Sequence, residues 1–431
     1  DAEGTQFPYV YSGEDLKAFN FFEASSIRKV GNKYVWIYSG YSGPDYGLNS
    51  TNSSLRYAFG DTPLGPWKSG GVLVDSRAPE LNQDGTALQT TNAAHNTHGS
   101  IEQINGQWYV FYHRPPRGSG FARQSMVAPI KIEYDEKSVA EGGKVIIRAY
   151  DPYRKDNEWT ARSSNGEEYT GAEVTSEGFH IYGLDPYQYY SAGYACYLSD
   201  IHTMQDSWDI WDNHMPITNV KNGQIIGYKY FGFGGLNQNK KGLKAFEGTK
   251  PGNNTKINLF LAPKTNKAFK INIWLDGPWG NAWRGRRIGQ ITVPAGSAQT
   301  ITRFVANISS VVDHLDKKHA IYLVAESNVQ EILFDFAGLG FSSDKKKITY
   351  PVVPSVNITV NGKTINLPKY PVRATNANGI LDYNQYETSV KLPFNATKIQ
   401  IISASASSSD VKVQVSQPQS VPGAGFVKFD Y

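Results

Sequence analysis

Cysteine is almost missing from this chain: Cys196 stands alone among 431 residues. One thiol excludes an intrachain disulfide framework and a multi-cysteine metal site. Its surroundings, Ala192-Gly193-Tyr194-Ala195-Cys196-Tyr197-Leu198, read as a buried strand, so an inert core thiol is expected rather than a nucleophile. Charge of one sign is scarce as well. The 43 Lys and Arg against 39 Asp and Glu leave +4, and the longest unbroken basic run is Lys345-Lys346-Lys347. That balance argues against nucleic acid and against a membrane surface as partners. No apolar run reaches the about 18 residues that would suggest a bilayer-spanning helix. There is no signal-peptide pattern and no initiating Met, and Asp1 reads as a processed, truncated or cleaved start. Long runs of helical period are also lacking.

What the chain does have is aromatic and punctuated. Aromatics make up 13%, with 27 Tyr and 9 Trp, and 41 Gly and 22 Pro break the chain into short pieces. Apolar residues at 40% and charged residues at 19% describe a globular protein, not a disordered one. Short alternating runs bounded by Gly, Asn, Asp and Pro predict an all-β fold. The length predicts about two to three domains.

The first 150 residues contain three units of similar character. Phe21-Phe22-Glu23-Ala24-Ser25-Ser26-Ile27-Arg28-Lys29 is followed by the aromatic strand Tyr34-Val35-Trp36-Ile37-Tyr38-Ser39. Ser54–Gly60 runs into Asp61-Thr62-Pro63-Leu64-Gly65-Pro66-Trp67-Lys68. His98–Ile104 turns at Asn105-Gly106 into Gln107-Trp108-Tyr109-Val110-Phe111-Tyr112-His113-Arg114. Strand, Asn-Gly turn and aromatic strand predict hairpins, and repetition at roughly 40–45 residues predicts propeller blades. Within this pattern Glu23 draws notice. A carboxyl group beside two Phe residues loses hydration, which raises its pKa and suits a general acid near neutral pH. The alternative is an edge-strand Glu facing solvent.

These motifs, in this order, resemble glycoside hydrolase family 43, a five-bladed propeller. Phe21–Lys29 with its aromatic strand resembles the blade bearing the general acid. Ala58–Trp67 resembles the next blade. His98-Gly99-Ser100 with Trp108–Arg114 resembles the closing blade, and Arg123–Ile130 the segment after it. The resemblance covers about the first 130 residues. It implies that Glu23 protonates the leaving glycosidic oxygen. It implies that His98 lies near the propeller axis, where it would touch a central ion, calcium being the candidate, or a water. A turn or core histidine is the alternative, and His95 nearby makes only a weak zinc case. Arg123 reaches the sugar pocket or forms an exposed salt bridge. No cofactor is required.

An inverting glycosidase also needs a base about 6.5–9.5 Å from the acid. The family carries it as an Asp on the first blade, with a pKa-tuning Asp on the second, and neither blade has a counterpart in this sequence. Asp1, Glu3, Glu14 and Asp15 read as solvated loop charges. The expectation is a companion N-terminal segment, on a separate, nicked or separately numbered chain.

Residues 151–342 change character. Strands are expected at Phe179–Tyr182, Ala192–Leu198, Ile225–Phe233, Lys256–Leu261, Phe269–Leu275, Arg287–Pro294, His319–Ala325 and Ile332–Phe336, which fits a jelly-roll β-sandwich. The stretch from Gly227 to Phe336 resembles a carbohydrate-binding module of family 6. Such modules stack aromatic rings on sugars. Trp279 and Trp283, in the loop Asp276–Arg284, are the candidate substrate-binding platform, or else they pack against the neighbouring catalytic domain. Trp274 is core or surface. Residues 343–431 follow a Lys/Pro-rich break and predict a small β accessory domain, with a hairpin around Asn361-Gly362 and a Ser/Ala loop at Ser403–Ser409.

Taken together, the sequence predicts the C-terminal blades of a partial five-bladed β-propeller (1–150), a jelly-roll sandwich (151–342) and a small C-terminal β domain (343–431). The expected function is a secreted or periplasmic glycosidase, inverting and exo-acting. It would remove arabinofuranosyl, galactofuranosyl, xylosyl or galactosyl units from a polysaccharide or oligosaccharide. The competing expectation is a non-catalytic carbohydrate-binding protein with a degenerate propeller.

Overall fold

The computed structural model describes residues 19–44, 47–84, 86–90, 97–114, 124–149, 160–162, 168–170, 172–181, 183–199, 216–233, 252–280, 285–316, 318–348, 356–365, 372–375, 381–387, 401–406, 412–420 and 425–430. It is all-β. Residues 1–350 form one compact unit and residues 351–431 a second. No helix among the described residues is long and apolar enough to cross a membrane.

The first unit opens with two four-stranded antiparallel meanders, the blade form of a propeller. One comprises β1 (Phe21–Val30), β2 (Lys33–Ser42), β3 (Thr51–Gly60) and β4 (Lys68–Asp75) in that order. A short hairpin follows, β5 (Pro79–Leu81) with β6 (Ala87–Gln89). The second sheet runs β7 (Ser100–Ile104), β8 (Gln107–Arg114), β9 (Gln124–Tyr134) and β10 (Val145–Ala149). Asn105 and Gly106 both take positive φ between β7 and β8, the backbone that a two-residue hairpin with an Asn-Gly turn requires. Gly31, between β1 and β2, also takes a positive φ, a backbone that strains most other residues.

Three repeat units were expected here, and the structure corrects that to two sheets. The first two units pair edge to edge, Tyr34 opposite Gly60 through Ser39 opposite Leu55, so β1–β4 make one continuous sheet. Inward residues of both sheets share a core of Val35, Ile37, Leu55, Phe59, Ile101, Val110, Met126, Ile130 and Ile147. Burying each of these large side chains stabilises by about 1.5–3 kcal/mol.

Asp61 links the two sheets. It accepts Lys33 Nζ at 3.0 Å and the Val139 amide at 2.7 Å, and Lys33 is 1% exposed. Burial, the largest single influence, pushes the Asp61 carboxyl up, but the Lys33 and Val139 hydrogen bonds and the Lys33 charge together hold it below its ordinary value. A depressed carboxyl contributes stability above its unfolded pKa of about 3.9 and loses it as pH falls through the folded value. Asp61→Asn should therefore lower the urea midpoint at pH 7. The gap from wild type should close toward about pH 2. Equal midpoints at pH 7 would count against the link.

The sandwich stacks two five-stranded sheets. One orders β13 (Tyr190–Ser191), β22 (Phe334–Ser342), β17 (Lys256–Pro263) and β20 (Thr302–Asn307), with β15 (Ile217–Val220) also on β22. The other orders β14 (Tyr197–Leu198), β16 (Ile225–Gly232), β21 (Lys318–Glu326), β18 (Phe269–Leu275) and β19 (Arg286–Val293). Alternation explains the core: Phe269, Ile271, Ile273 and Leu275 all point between the sheets. Trp274 leaves the opposite face and packs on an outer cluster. Two expected strands are corrected. Phe179 and Ile181 lie in turns, with Phe179 61% exposed. Ala192–Tyr194 is a 3₁₀ turn, leaving only Tyr197–Leu198 to pair with β16. Cys196 is buried. A minor pair, β11 (Thr160–Arg162) with β12 (Glu168–Thr170), precedes the sandwich.

In the second unit β24 (Lys363–Thr364), β23 (Val356–Val360) and β27 (Ile402–Ala406) form a three-stranded sheet. Two hairpins accompany it, β25 (Val372–Thr375) with β26 (Leu381–Glu387), and β28 (Lys412–Ser416) with β29 (Phe426–Asp430). The Asn361-Gly362 turn is present, with both residues at positive φ. Of the Ser403–Ser409 stretch expected as a loop, residues 407–409 lie outside the described residues, and Ser403–Ala406 belong to strand β27 (Ile402–Ala406). Its exposed and half-buried residues alternate as a strand of small side chains can.

Candidate active site

β1 and β7 are edge strands of their two sheets, and they face each other. Ser26 Oγ meets Ser100 Oγ at 2.8 Å. Arg28 Nε donates to Glu102 Oε2 at 3.1 Å, and Arg28 Nη1 also donates to Ser26 Oγ at 3.1 Å. Contacts advance in the same direction along both strands, so the two edges run side by side. At the head of this ladder Glu23 Oε1 lies 2.7 Å from His98 Nε2. The structure thus brings together two residues that are 75 positions apart in the chain.

A β-bulge aims Glu23. Phe21 pairs with Gly40, Glu23 with Ser39 and Ser25 with Tyr38, so the register shifts on both sides of Glu23, and Ala24 takes a φ of 55°. An extra residue of this kind re-aims the side chains beside it. The described residues do not supply the apolar enclosure expected for Glu23. Phe21 packs on Trp36 and Tyr38, and Phe22 stands on Tyr41. The side chains of Glu23 and His98 are each 42% exposed. The pair is open to a ligand.

Behind His98 lies a residue that the sequence did not mark as functional in its own right. The His98 backbone N–H donates to His113 Nε2 at 3.1 Å. A ring nitrogen that accepts carries no proton, so neutral His113 keeps its hydrogen on Nδ1. Thr97 Oγ1 donates to the His113 carbonyl at 2.6 Å, and the His98 and His113 rings meet edge to face at 5.6 Å. The signal was the alternation of Trp108–Arg114, which sets His113 on the face opposite Arg114.

Arg123 and Trp283 lie outside the described residues, as does His95. Trp279 is half-buried. It packs with Trp274 and with Leu88 of the β5–β6 hairpin against Tyr197, Ile225, Tyr230, Ala320 and Tyr322, and the Gly285 amide holds its carbonyl at 3.0 Å. Asp75 is not a facing base. It is wholly buried, with Arg77 on both oxygens and Ser42 Oγ at 2.8 Å on one of them. Calcium would need about six to eight oxygen ligands. Among the described residues no group of three or more His, Cys, Asp or Glu converges to hold a metal, and His98 offers nitrogen, already turned to Glu23. These residues do not supply a calcium shell.

Over 123 residues, 28% of its length, the chain is 37% identical to a Thermoclostridium stercorarium protein named xylosidase/arabinosidase, of which it covers 24%. Part of this chain is similar to a xylosidase/arabinosidase. It spans between 24% and 31% of the length of the curated relatives it matches. Among solved structures, a glycoside hydrolase family 43 arabinoxylan arabinofuranohydrolase from Bacillus subtilis aligns with 75% of this chain and 54% of its own, at 17% identity and a TM-score of 0.32. A family 6 carbohydrate-binding module aligns with 38% of this chain and 98% of its own, at 19% identity and a TM-score of 0.27. Superpositions at this level carry no conclusion about chemistry. No family model matches the chain.

Proposed function

We propose that this chain carries the acid-bearing part of a family-43-type glycoside hydrolase that removes xylosyl or arabinofuranosyl units from polysaccharide. The observation that carries the proposal is the half-exposed Glu23–His98 pair at 2.7 Å, at the head of the paired blade edges. The 37% identity to a protein named xylosidase/arabinosidase supports it. Glu23 protonates the leaving glycosidic oxygen, and His98, donating from Nε2, orients the carboxyl group toward it. A base about 6.5–9.5 Å away activates water on the opposite face of the sugar, giving inversion by single displacement. We assign that base to an N-terminal companion segment. Intact-mass analysis of the purified, denatured protein tests this part: an extra roughly 120–180 residues, two to three blades, in the same polypeptide or in a second one, is expected. A single species of 47.8 kDa would remove the companion and move a non-catalytic, glycan-holding role to first place. Secretion or periplasmic export is part of the proposal, since polysaccharide substrates lie outside the cell.

The sandwich belongs to the proposal as a sugar-binding module, with Trp279 and Trp283 as its platform. Trp279→Ala combined with Trp283→Ala should weaken binding to insoluble arabinoxylan about tenfold, as loss of two stacking rings implies. Unchanged binding with a lowered melting temperature would assign both residues to packing.

A further inference from the structure

β8 ends on two adjacent residues that leave opposite faces of the strand. His113 turns to the His98 backbone. Arg114 turns into the protein, 1% exposed, and donates Nη1 to the Ala195 carbonyl at 3.2 Å and Nη2 to the Tyr194 carbonyl at 3.3 Å. Both carbonyls belong to the sandwich segment that continues into β14. That segment is itself held on β16: the Cys196 amide bonds the Gly227 carbonyl at 3.0 Å, and Tyr197 pairs with Gly227. Its far end reaches back to the blades, where the Leu198 amide bonds the Thr90 carbonyl at 2.6 Å. Thr90 in turn is fixed by its hydroxyl on the Ala78 carbonyl at 2.6 Å.

Arg114 has no carboxylate partner among the described residues. Burial, the largest influence, pushes its guanidinium down, and only the Cys196 thiol and Tyr112 phenol oppose this. A buried cation without a counter-charge is unfavourable, so its place calls for a reason that an apolar side chain of similar volume would not serve. The guanidinium fork spans two successive carbonyls, which neither Met nor Leu could hold.

We propose that Arg114 is a positioning residue for the Glu23–His98 pair. It pins the end of β8 to the Tyr194–Ala195 carbonyls, and through His113 this fixes the His98 backbone opposite Glu23. The sandwich is then part of the frame of the active site and not a detachable module. The catalytic consequence rests on the hydrolase reading above, whereas the geometry can be tested without it.

The test compares Arg114→Met and Arg114→Lys with wild type in the intact protein as purified, by hydrogen exchange and by steady-state kinetics. In Arg114→Met, exchange of the His98 amide should accelerate about tenfold, as expected for the loss of one fixed hydrogen bond. Amides of the β16–β21 pairing should keep wild-type protection. On a natural arabinofuranosyl linkage, whose alkoxide leaving group needs the proton from Glu23, kcat should fall about tenfold with KM near wild type, the pattern of a displaced transition-state contact. Arg114→Lys keeps a cation but only a point donor, and should fall between the two.

Wild-type His98 exchange and kcat in either variant that folds would overturn the proposal. So would protection lost evenly over the chain, or failure of both variants to fold, since each would make Arg114 a folding residue only. A wild type that turns over no glycoside, yet shows selective His98 exchange in Arg114→Met, would sink the hydrolase reading and leave the positioning role standing.

Discussion

Glu23→Gln is expected to lower kcat on natural xylosyl or arabinofuranosyl linkages by about 10²–10⁴-fold, the usual range for removing a general acid, with ligand affinity near wild type. Gln keeps the length of Glu and can still accept from His98 Nε2, now 2.7 Å from Glu23 Oε1. What it lacks is a proton to give. The loss should therefore depend on the leaving group. A sugar alkoxide needs protonation and should show the full effect, whereas a nitrophenolate leaves unaided and should show much less. This dependence separates proton donation from a binding role, because a lost contact to the sugar would slow both substrates alike. Turnover of the natural linkage within a few-fold of wild type would remove Glu23 as the acid. The half-exposed setting of the pair adds a second expectation: the described aromatics do not enclose the carboxyl group, and a bound ligand adds to its desolvation.

How far the sequence led can be judged from particular residues. The Asn105-Gly106 and Asn361-Gly362 turns were legible because a two-residue hairpin is decided locally, by which side chains tolerate positive φ. The alternation of Phe269, Ile271, Ile273 and Leu275 was legible for the same reason. Glu23 and His98 were singled out by motif, but their contact was not, since it depends on two sheet edges meeting across 75 residues. The bulge at Ala24 carries no compositional mark; Gly or Asn would have flagged a positive φ, and Ala does not. The merger of two units into one sheet came from the β2–β3 pairing, a long-range choice that hairpin signals do not encode. Cys196 was expected in a strand because its neighbours are apolar, yet it is buried between the 3₁₀ turn Ala192–Tyr194 and β14, in neither. Apolar composition reports burial better than it reports backbone form.

The same kind of non-local placement gives the largest expected change in stability. Lys229, on β16 of the sandwich, is 2% exposed. Its ammonium group meets Glu80 of the β5–β6 hairpin and lies 3.4 Å from Glu173 Oε1. Tyr230 donates its hydroxyl to the other Glu173 oxygen at 2.6 Å. Burial, the largest influence on Lys229, pushes its pKa down, but Glu80 and Glu173 more than offset this and hold it well above its ordinary value. The raised value means that the cluster's stabilising contribution is complete below the unfolded Lys pKa of about 10.4 and fades only as pH rises through the folded one. Lys229→Met removes the buried Lys229 charge from beside two carboxylates, which should cost about 3–5 kcal/mol at pH 7, seen as a lower denaturant midpoint. In that variant the buried carboxyl groups titrate upward, because the Lys229 charge no longer opposes their desolvation. Its deficit should therefore shrink as pH falls toward the unfolded Glu value of about 4.3, where the wild type gains nothing comparable. Adding Glu80→Gln and Glu173→Gln to Lys229→Met should recover much of the loss at pH 7, since a neutral set can hydrogen-bond without a counter-charge. A Lys229→Met protein with the wild-type midpoint at pH 7, or with a deficit independent of pH, would mean that the cluster is solvated in solution. In that case the blades are held on the sandwich by the Arg114 and Leu198 hydrogen bonds and by the packing of Leu88 on the outer cluster rather than by the Lys229 charge.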